Sequence, residues 1–411
     1  MNKKIKKNNY VIFFLLLLSI VLKIYTMNFY GDTSLDNEWG ILFYNFKKIG
    51  VIGINIFNGS EIYMGAALNE EQVLPSVYMP PFYIFLIIFF DYFVPIDHLV
   101  MSIITFQIFF SVVASLILLK LLKKIYNKKI SYLGFLIFLF LPINIYSVTQ
   151  ISSISLQVFF LIIFFYYYLK IIEKKKNKSI IYFSVISAVL ILLRGEFIVL
   201  LFFSYYYLFF KSKNLKQIIL SMFIILILIS PYIYRNLKLF NQITITKSLG
   251  YNLWKGNNLY SNVEGSVKLY DDYMINKIKK IKPNNEYEIL RDNIYKEEAI
   301  KNILINPTHF FYLFLKKVFS LIFFDTNSSY PHYYNPLHLI PKFLIGLTSL
   351  LGVYSIVFSK SNLHFYVYVY CLYIILFSIF FILPRYSLAI LPIQIILSCS
   401  FFNKIFYKFK E

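Results

Sequence analysis

Residues 179–210 read SIIYFSVISAVLILLRGEFIVLLFFSYYYLFF, and the charged residues of this stretch are Arg194 and Glu196. A helix that spans a membrane needs about 20 mostly apolar residues, with a range of roughly 17–25. The stretch is therefore too long for one spanning helix, and Arg194-Gly195-Glu196 divides it into two apolar halves. We predict two membrane-spanning helices joined by a short turn.

The composition of the whole chain extends this prediction. The chain has 411 residues, of which 59% are hydrophobic, 20% aromatic and 15% charged, and its mean hydropathy is +0.64. Soluble domains carry about 25% charged residues, and one globular core could not hide this much apolar surface. The composition excludes a soluble enzyme and a disordered chain, and it indicates an all-α polytopic membrane protein.

The formal net charge of +21 has a topological explanation. Lysine runs lie between the apolar segments, where the positive-inside rule places cytoplasmic connections. We therefore predict contact with membrane lipids and no nucleic-acid partner. Cys371 and Cys399 lie within apolar runs, so we predict neither a disulfide nor a cysteine-based metal site.

The apolar segments predict about ten spans, with both termini in the cytoplasm. The N-terminal lysines precede an apolar run from Tyr10 to Met27 without a small-residue cleavage site, so we expect an uncleaved first helix. Placing Pro81–Val94 along the outer membrane interface brings every lysine cluster between spans to the cytoplasmic face. The predicted spans are about 10–27, 99–119, 130–148, 154–171, two within 179–210, 217–234, 339–358, 364–383 and 386–402.

We predict a single domain, 1–411, with two long polar regions on the extracytoplasmic side of the cell membrane, 28–98 and 235–338. The second ends in an amphipathic stretch, His309–Phe324, whose Lys316-Lys317 pair argues against a full crossing. Acidic residues concentrate in both regions, from Asp32 to Glu71 and from Asp271 to Glu298. We therefore expect the function to lie at the outer face.

The first outer region begins with three carboxylates, Asp32, Asp36 and Glu38, followed by a helical apolar pattern from Trp39. Asp36 could act as the N-cap of that helix, since its carboxylate can accept from the free amides of the first turn. Alternatively, a carboxylate that is half-buried beside apolar walls has a raised proton affinity, which suits a general base. Later in the region, Pro80-Pro81 predicts a rigid start for the interfacial helix. The hydroxyls of Tyr78 and Tyr83 beside it are candidates for binding a sugar or an acceptor.

The second outer region supplies candidates for binding a sugar or an acceptor. Residues 250–258 read GYNLWKGNN, a mixture of glycines, amides and a tryptophan that suits sugar hydroxyls and ring stacking. The candidates here are Trp254, Lys255, Asn257 and Asn258, together with Tyr386 at the outer start of the last span.

Three arginines, Arg194, Arg235 and Arg385, are predicted to lie at the same outer level of the membrane. A single arginine at this depth can extend its guanidinium to lipid headgroups. It can also bind a phosphate with two hydrogen bonds. Three on one face indicate an anionic lipid headgroup, so we predict that these residues bind the phosphate of a lipid.

These features together resemble a known family. They are the acidic start of the first outer region (Asp36 to Trp39), the Pro75–Tyr83 turn, Arg235-Asn236, the Gly250–Asn258 stretch and Pro384-Arg385-Tyr386. In this order and topology, spread over nearly the whole chain, they resemble bacterial members of the GT-C superfamily of membrane glycosyltransferases. Within this superfamily they resemble the branch of the dolichyl-phosphate-mannose protein mannosyltransferases (glycosyltransferase family 39 type).

The resemblance implies a GT-C-type bundle with outer juxtamembrane helices and a sugar donor linked to a polyprenyl phosphate. The sugar would pass to a glycan, lipid or protein acceptor, usually with inversion. The family's base maps to Asp36, with Glu38 adjacent and Asp32 as an alternative. The donor phosphate would be held by Arg235 and Arg385.

One stretch departs from the family pattern. Many relatives carry a second acidic residue between the third and fourth spans, where Thr149–Ser155 has no carboxylate. This leaves acceptor activation to the first outer region, and it argues against a divalent metal, which prefers several carboxylate oxygens. We predict no cofactor. The histidines lack metal-binding spacing. His332 and His338 could either line an acceptor cleft or have only a surface role.

Two other functions share parts of this pattern. A transporter or flippase of a lipid-linked saccharide would place polar groups near the membrane midplane and show repeat symmetry. A polysaccharide polymerase or ligase with a lipid-pyrophosphate donor would depend on the outer arginines more than on a carboxylate of the first outer region. The clustering of charge at the outer rim favours the glycosyltransferase.

Overall fold

The computed structural model describes residues 2–55, 73–173, 178–212, 214–267, 272–330, 332–359 and 363–408. Glu61, Glu70, Glu71 and Asp271, which the sequence places among the outer acidic residues, lie outside the described residues. Helices dominate the described part. In chain order they are α1 (Asn2–Tyr30), α2 (Glu38–Ile49), α3 (Pro81–Phe93), α4 (Ile96–Ile125), α5 (Lys128–Phe140), α6 (Pro142–Ser147), α7 (Ile154–Ile172), α8 (Lys178–Leu193), α9 (Phe197–Ser212), α10 (Leu215–Phe240), α11 (Leu249–Asn257), α12 (Asp272–Lys279), α13 (Tyr287–Ile305), α14 (Pro307–Ile322), α15 (Pro336–Val357), α16 (His364–Ile379) and α17 (Ser387–Lys408).

Two shorter elements complete the described fold. Strands β1 (Gly53–Asn55) and β2 (Val73–Pro75) form a small antiparallel pair in which Ile54 lies opposite Leu74. A 3-10 turn at Pro384–Tyr386 leads into α17. This turn lies at the start of the last predicted span.

The prediction of an all-α polytopic membrane protein is confirmed. Among the described residues, six helical segments are long and apolar enough to cross a membrane. They lie in α1, α4, α7, α10, α15 and the segment from Pro384 into α17, and α3, α8, α9 and α16 are shorter apolar helices. The number of spans and the side of each terminus stay predictions.

The break predicted within 179–210 is confirmed. Helix α8 ends at Leu193 and α9 begins at Phe197, so Arg194-Gly195-Glu196 forms the connection. The Phe197 amide donates to the Arg194 carbonyl at 3.1 Å, which closes a tight turn. The turn brings the charged Arg194 and Glu196 to the same end of both helices.

The helices of the bundle approach each other closely at small residues. A Cβ atom on Gly352 of α15 would lie 2.0 Å from the Leu397 carbonyl oxygen of α17, so this approach requires glycine. Elsewhere aromatic rings fill the core, as where Tyr168 of α7 stacks on Phe365 of α16 with ring centres 3.9 Å apart. Close packing of this kind holds helices together in lipid, where apolar burial alone provides little driving force.

The outer helices begin where the sequence predicts, with one correction. Helix α3 starts at Pro81, as predicted, and α2 buries Trp39, Leu42 and Phe43. The suggestion that Asp36 caps α2 is wrong, because Asn37 is the N-cap: its side chain accepts from the amides of Trp39 and Gly40. Both residue types favour this position, and the extended backbone falls on Asn37.

Helix α14 has the amphipathic character predicted for His309–Phe324, but its apolar side faces outward. Phe311, Tyr312, Leu315 and Phe319 are exposed, whereas Lys317 is buried. An exposed apolar face is unfavourable in water and suits a helix that lies against lipid.

Candidate functional site

Asp32 is attached to the connection between α6 and α7. Its amide donates to the Thr149 carbonyl at 3.0 Å, and its Oδ2 accepts from the Ile151 amide at 2.7 Å. Asn37 Nδ2 also donates to the Ile151 carbonyl, at 3.3 Å. Asp32 therefore brings a carboxylate to the Thr149–Ser155 stretch, which contains none of its own.

The surroundings of Asp32 favour proton uptake. Burial raises the pKa of its carboxyl above the ordinary value, and the negative charge of Asp36 adds to this rise. The hydrogen bond from the Ile151 amide and the positive charge of Arg385 oppose it. A carboxylate of raised pKa that lies within electrostatic reach of an arginine is a candidate general base.

Asp36 and Glu38 lie in different surroundings. Asp36 is exposed and accepts a hydrogen bond from the hydroxyl of Ser34. Glu38 is half-buried at the start of α2, and its charge acts on Lys255, Tyr330 and Arg385. The structure thus brings Asp32 and Glu38 to the same arginine.

Arg385 and Arg194 share one aromatic ring. The guanidinium of Arg194 lies 5.7 Å from the centre of the Tyr386 ring, and that of Arg385 lies 5.9 Å from it. Arg385 and Tyr386 belong to the 3-10 turn, and Arg194 belongs to the α8–α9 connection. Two cations from distant parts of the sequence therefore converge here, as expected for a site that binds an anion.

Lys255 is a third cation, near Arg385, and its own pKa is shifted. Burial lowers the pKa of its ammonium, the charge of Arg385 lowers it further, and Glu38 and Glu264 oppose the change. Its Nζ lies 4.3 Å from the centre of the Phe381 ring. Lys255 thus links the acidic start of α2 to the segment that leads into the 3-10 turn.

A groove of about 630 Å³ begins beside Arg194 and Tyr386. Its walls are mainly apolar and come from α9, α10, α16, the start of α11 and the segments before α11 and after α16. The lining residues include Ile198, Val199, Ile229, Ile233, Ile245, Leu376, Phe377, Phe380 and Phe381. The groove combines a long apolar surface with a polar end, which suits an amphipathic ligand.

The polar end of this groove contains buried atoms without a hydrogen-bond partner among the described residues. They are Nε of Arg194, Oε1 of Glu196 and the hydroxyl of Tyr373. Nε of Arg194 and Oε1 of Glu196 lie 4.0 Å apart, which makes only a loose ion pair. Because buried polar groups normally have partners, this end is suited to receive a polar group from a ligand.

Arg235 lies in a different environment from the other two predicted arginines. Its Nη1 donates to the Ser76 carbonyl at 3.2 Å and to Asn236 Oδ1 at 2.7 Å. The guanidinium also packs over the rings of Tyr232 and Phe240, each centre 5.5 Å away. Arg235 therefore contacts the Pro75–Tyr83 turn, and it is not among the residues that line the groove.

Most of the predicted sugar-binding or acceptor-binding side chains are buried. Asn258 Nδ2 donates to the Ser266 carbonyl at 2.7 Å, and the hydroxyl of Tyr83 donates to Gln107 Oε1 at 3.1 Å. Lys255 and Tyr386 remain half-exposed. The buried members of the set are Tyr78, Tyr83, Trp254, Asn257 and Asn258.

The sequence did not predict a buried polar cluster on α13. Glu288 accepts from the Ser76 hydroxyl at 2.9 Å and from the Val77 amide at 2.6 Å. Asp292 accepts from the Tyr251 amide at 2.9 Å. Glu288 and Ser76 are 212 residues apart in the sequence, so no local pattern could have indicated the pair.

The two histidines near the site differ in exposure. His338 is buried beside Tyr146 and Tyr333, whereas His332 is exposed near Tyr30 and Tyr146. Across the described part of the chain, no three His, Cys, Asp or Glu residues are grouped so that they could hold a metal ion. The absence of a cofactor stays a prediction.

The fold and the site define a multi-pass membrane protein with an apolar groove that ends at Arg194, Glu196 and Tyr386. The Tyr386 ring also lies beside Arg385. Residues 79–234 match the family model described as dolichyl-phosphate-mannose-protein mannosyltransferase. The matched stretch runs from just before α3 into α10, and it confirms the resemblance predicted from the sequence. No curated protein matches the chain. The family match supports a membrane glycosyltransferase of the GT-C type.

Proposed function

We propose that this protein transfers a sugar from a polyprenyl-phosphate-linked donor to a glycan, lipid or protein acceptor at the outer face of the cell membrane. The observation that carries the proposal is that a carboxylate and two arginines lie near one end of an apolar groove. Asp32, with its raised pKa, is coupled to Arg385, and Arg385 shares the Tyr386 ring with Arg194 at the polar end of the apolar groove.

The groove suits the lipid part of the donor. A polyprenyl chain needs a long apolar surface, and Ile198, Ile229, Phe377 and Phe380 provide one. The phosphate would then lie near Arg194 and Arg385, whose charges stabilise the negative charge that develops as the phosphate leaves. Arg235 was also predicted to bind the phosphate, and its contacts to Ser76 and Asn236 favour a supporting role.

Asp32 suits the role of the base that activates the acceptor. In this step an acceptor hydroxyl oxygen attacks the anomeric carbon of the sugar, and the bond between that carbon and the phosphate oxygen breaks. The phosphate leaves with the bonding electrons, and the hydroxyl proton passes to Asp32. A raised pKa makes this carboxylate a better proton acceptor than an exposed one, which favours Asp32 over Asp36.

The sidedness of the reaction rests on the charge pattern. Lysine clusters between the spans indicate the cytoplasmic face, and Asp32, Arg194 and Arg385 lie at the opposite ends of their helices. An outer-face site would receive a donor from the outer leaflet and would need no soluble nucleotide sugar.

The experiment that tests the proposal is sugar transfer in vesicles that contain the purified protein. The donors are a panel of radiolabelled polyprenyl-phosphate sugars, with polyprenyl-pyrophosphate saccharides for comparison, and membrane extracts supply the acceptors. We expect transfer from at least one monophosphate donor. Transfer from pyrophosphate donors alone would instead indicate a polymerase or ligase, and movement of the labelled lipid across the bilayer without transfer would indicate a flippase.

A further inference from the structure

Lys317 is a fully buried lysine on α14, with 0% of its surface exposed. Lysine is almost never buried to this extent unless it is paired. The partners of Lys317 are neutral: its Nζ donates to the Gly256 carbonyl at 2.7 Å and to Asn257 Oδ1 at 3.0 Å. Burial lowers its pKa to about 7. A group that is so unfavourable to bury needs a structural or functional reason.

The two acceptors lie at the end of α11, next to Lys255. Because Asn257 Oδ1 accepts from Lys317, the amide nitrogen of Asn257 is left to donate, and it does so to the carbonyls of Leu253 and Ile379, both at 2.8 Å. Every polar atom of this amide is therefore used. Through Asn257, Lys317 fastens the end of α11 to the end of α16.

This junction also forms part of the groove wall. A Cβ atom on Gly256 would lie 2.4 Å from the Phe380 carbonyl oxygen, so the two segments are in direct contact. Nearby, the Ile382 amide donates to the Val263 carbonyl at 2.8 Å. Phe380 and Phe381 line the groove, and Lys255 lies over the Phe381 ring.

We propose that Lys317 is a positioning residue: by donating to Gly256 and Asn257 it holds the end of α11 against Phe380 and Phe381, and so fixes Lys255 relative to the groove and to Arg385. The effect on catalysis rests on the proposed function. The effect on structure does not, so the two can fail separately.

The structural test is hydrogen exchange, measured by mass spectrometry on the purified full-length protein. Lys317→Met keeps the length of the side chain but removes the donors, and Lys316→Met on the exposed side of α14 is the matched control. We expect exchange in residues 258–266 and 379–386 to rise about tenfold or more in Lys317→Met only, since two buried acceptors lose their donor. Unchanged exchange there, or an equal rise in the α4 and α7 helices, would overturn the proposal.

The kinetic test compares the same variants in the transfer assay. Lys317→Met should lower kcat/KM for the lipid-linked donor about tenfold, a change that corresponds to about 1.4 kcal/mol. Lys317→Gln retains two N–H donors without a charge and should restore most of the activity and the protection from exchange. If Lys317→Gln behaves like Lys317→Met, or if Lys316→Met does, the positioning role is wrong. If the wild-type protein transfers no sugar, the proposed function fails, and the exchange data still decide the role of Lys317.

Discussion

In the first outer region, the carboxylate of Asp32 is half-buried and within electrostatic reach of Arg385, whereas in the second the carboxylate of Glu288 is buried and accepts hydrogen bonds from Ser76 and Val77. Burial raises the pKa of both groups. The difference lies in what each group can still do. Asp32 remains partly accessible and can accept a proton from a ligand, while Glu288 joins two segments of the chain. A raised pKa therefore identifies a catalytic candidate only where the group remains accessible.

The largest expected effect comes from removing the charge of Asp32. Asp32→Asn retains an oxygen that can accept from the Ile151 amide, so the local fold should persist. Loss of a general base should lower kcat by about 10²- to 10⁴-fold, measured as sugar transfer in vesicles. Asp36→Asn, at the exposed neighbouring carboxylate, is the control and should change kcat little. A severe loss in Asp36→Asn with normal activity in Asp32→Asn would assign the base to Asp36.

The second expected effect separates the arginines. Arg385→Gln removes the charge that acts on Asp32 and lies beside the Tyr386 ring, and kcat should fall about 10²- to 10³-fold, as for loss of an electrostatic stabiliser. Arg235→Gln should mainly lower the thermal stability, because the side chain binds Ser76 and Asn236. Equal losses of transfer in both variants, with unchanged unfolding temperatures, would indicate that Arg235 also binds the phosphate.

These first two predictions also indicate what the sequence alone could provide. The long apolar runs, the Arg194-Gly195-Glu196 break and the Pro81 helix start are local signals, and all three appear in the fold. The hydrogen bond that distinguishes Asp32 from Asp36 could not be predicted from the sequence, because its donor is Ile151, far along the chain.

The second outer region was harder to predict for the same physical reason. Asparagines and a tryptophan in a polar stretch are compatible with sugar binding and also with a buried turn. The sequence of residues 250–258 does not distinguish between these two structures. Asn257 is buried because Lys317 and Ile379 provide partners from distant segments. Likewise, adjacent Lys316 and Lys317 look equivalent in the sequence, and the packing of α14 places one outside and one inside.

Glu288 provides the third prediction, which concerns stability. Glu288→Ala would leave the Val77 amide and the Ser76 hydroxyl buried without this acceptor. The free energy of unfolding should fall by about 1–3 kcal/mol, measured by thermal or denaturant unfolding in detergent. Glu286→Ala, at an exposed position just before α13, is the matched control. A stable Glu288→Ala variant that has lost transfer would show that the second region takes part in the chemistry.

The last prediction is a pH dependence of stability that originates in the second region and leaves sugar transfer aside. Burial lowers the pKa of Lys317 to about 7 from an ordinary value of 10.5. Between these values the unfolded chain holds a proton that the folded protein lacks, so unfolding takes up a proton and becomes less favourable as the pH rises. Stability should therefore increase from about pH 7 to pH 10.5, with a contribution from Lys317 of at most about 1.4 kcal/mol per pH unit. Lys317→Met should flatten this slope relative to Lys316→Met, as measured by unfolding at a series of pH values. Parallel slopes in the two variants would mean that Lys317 keeps its proton in the fold. The junction of Lys317 with Gly256 and Asn257 would then hold a buried positive charge on neutral partners alone.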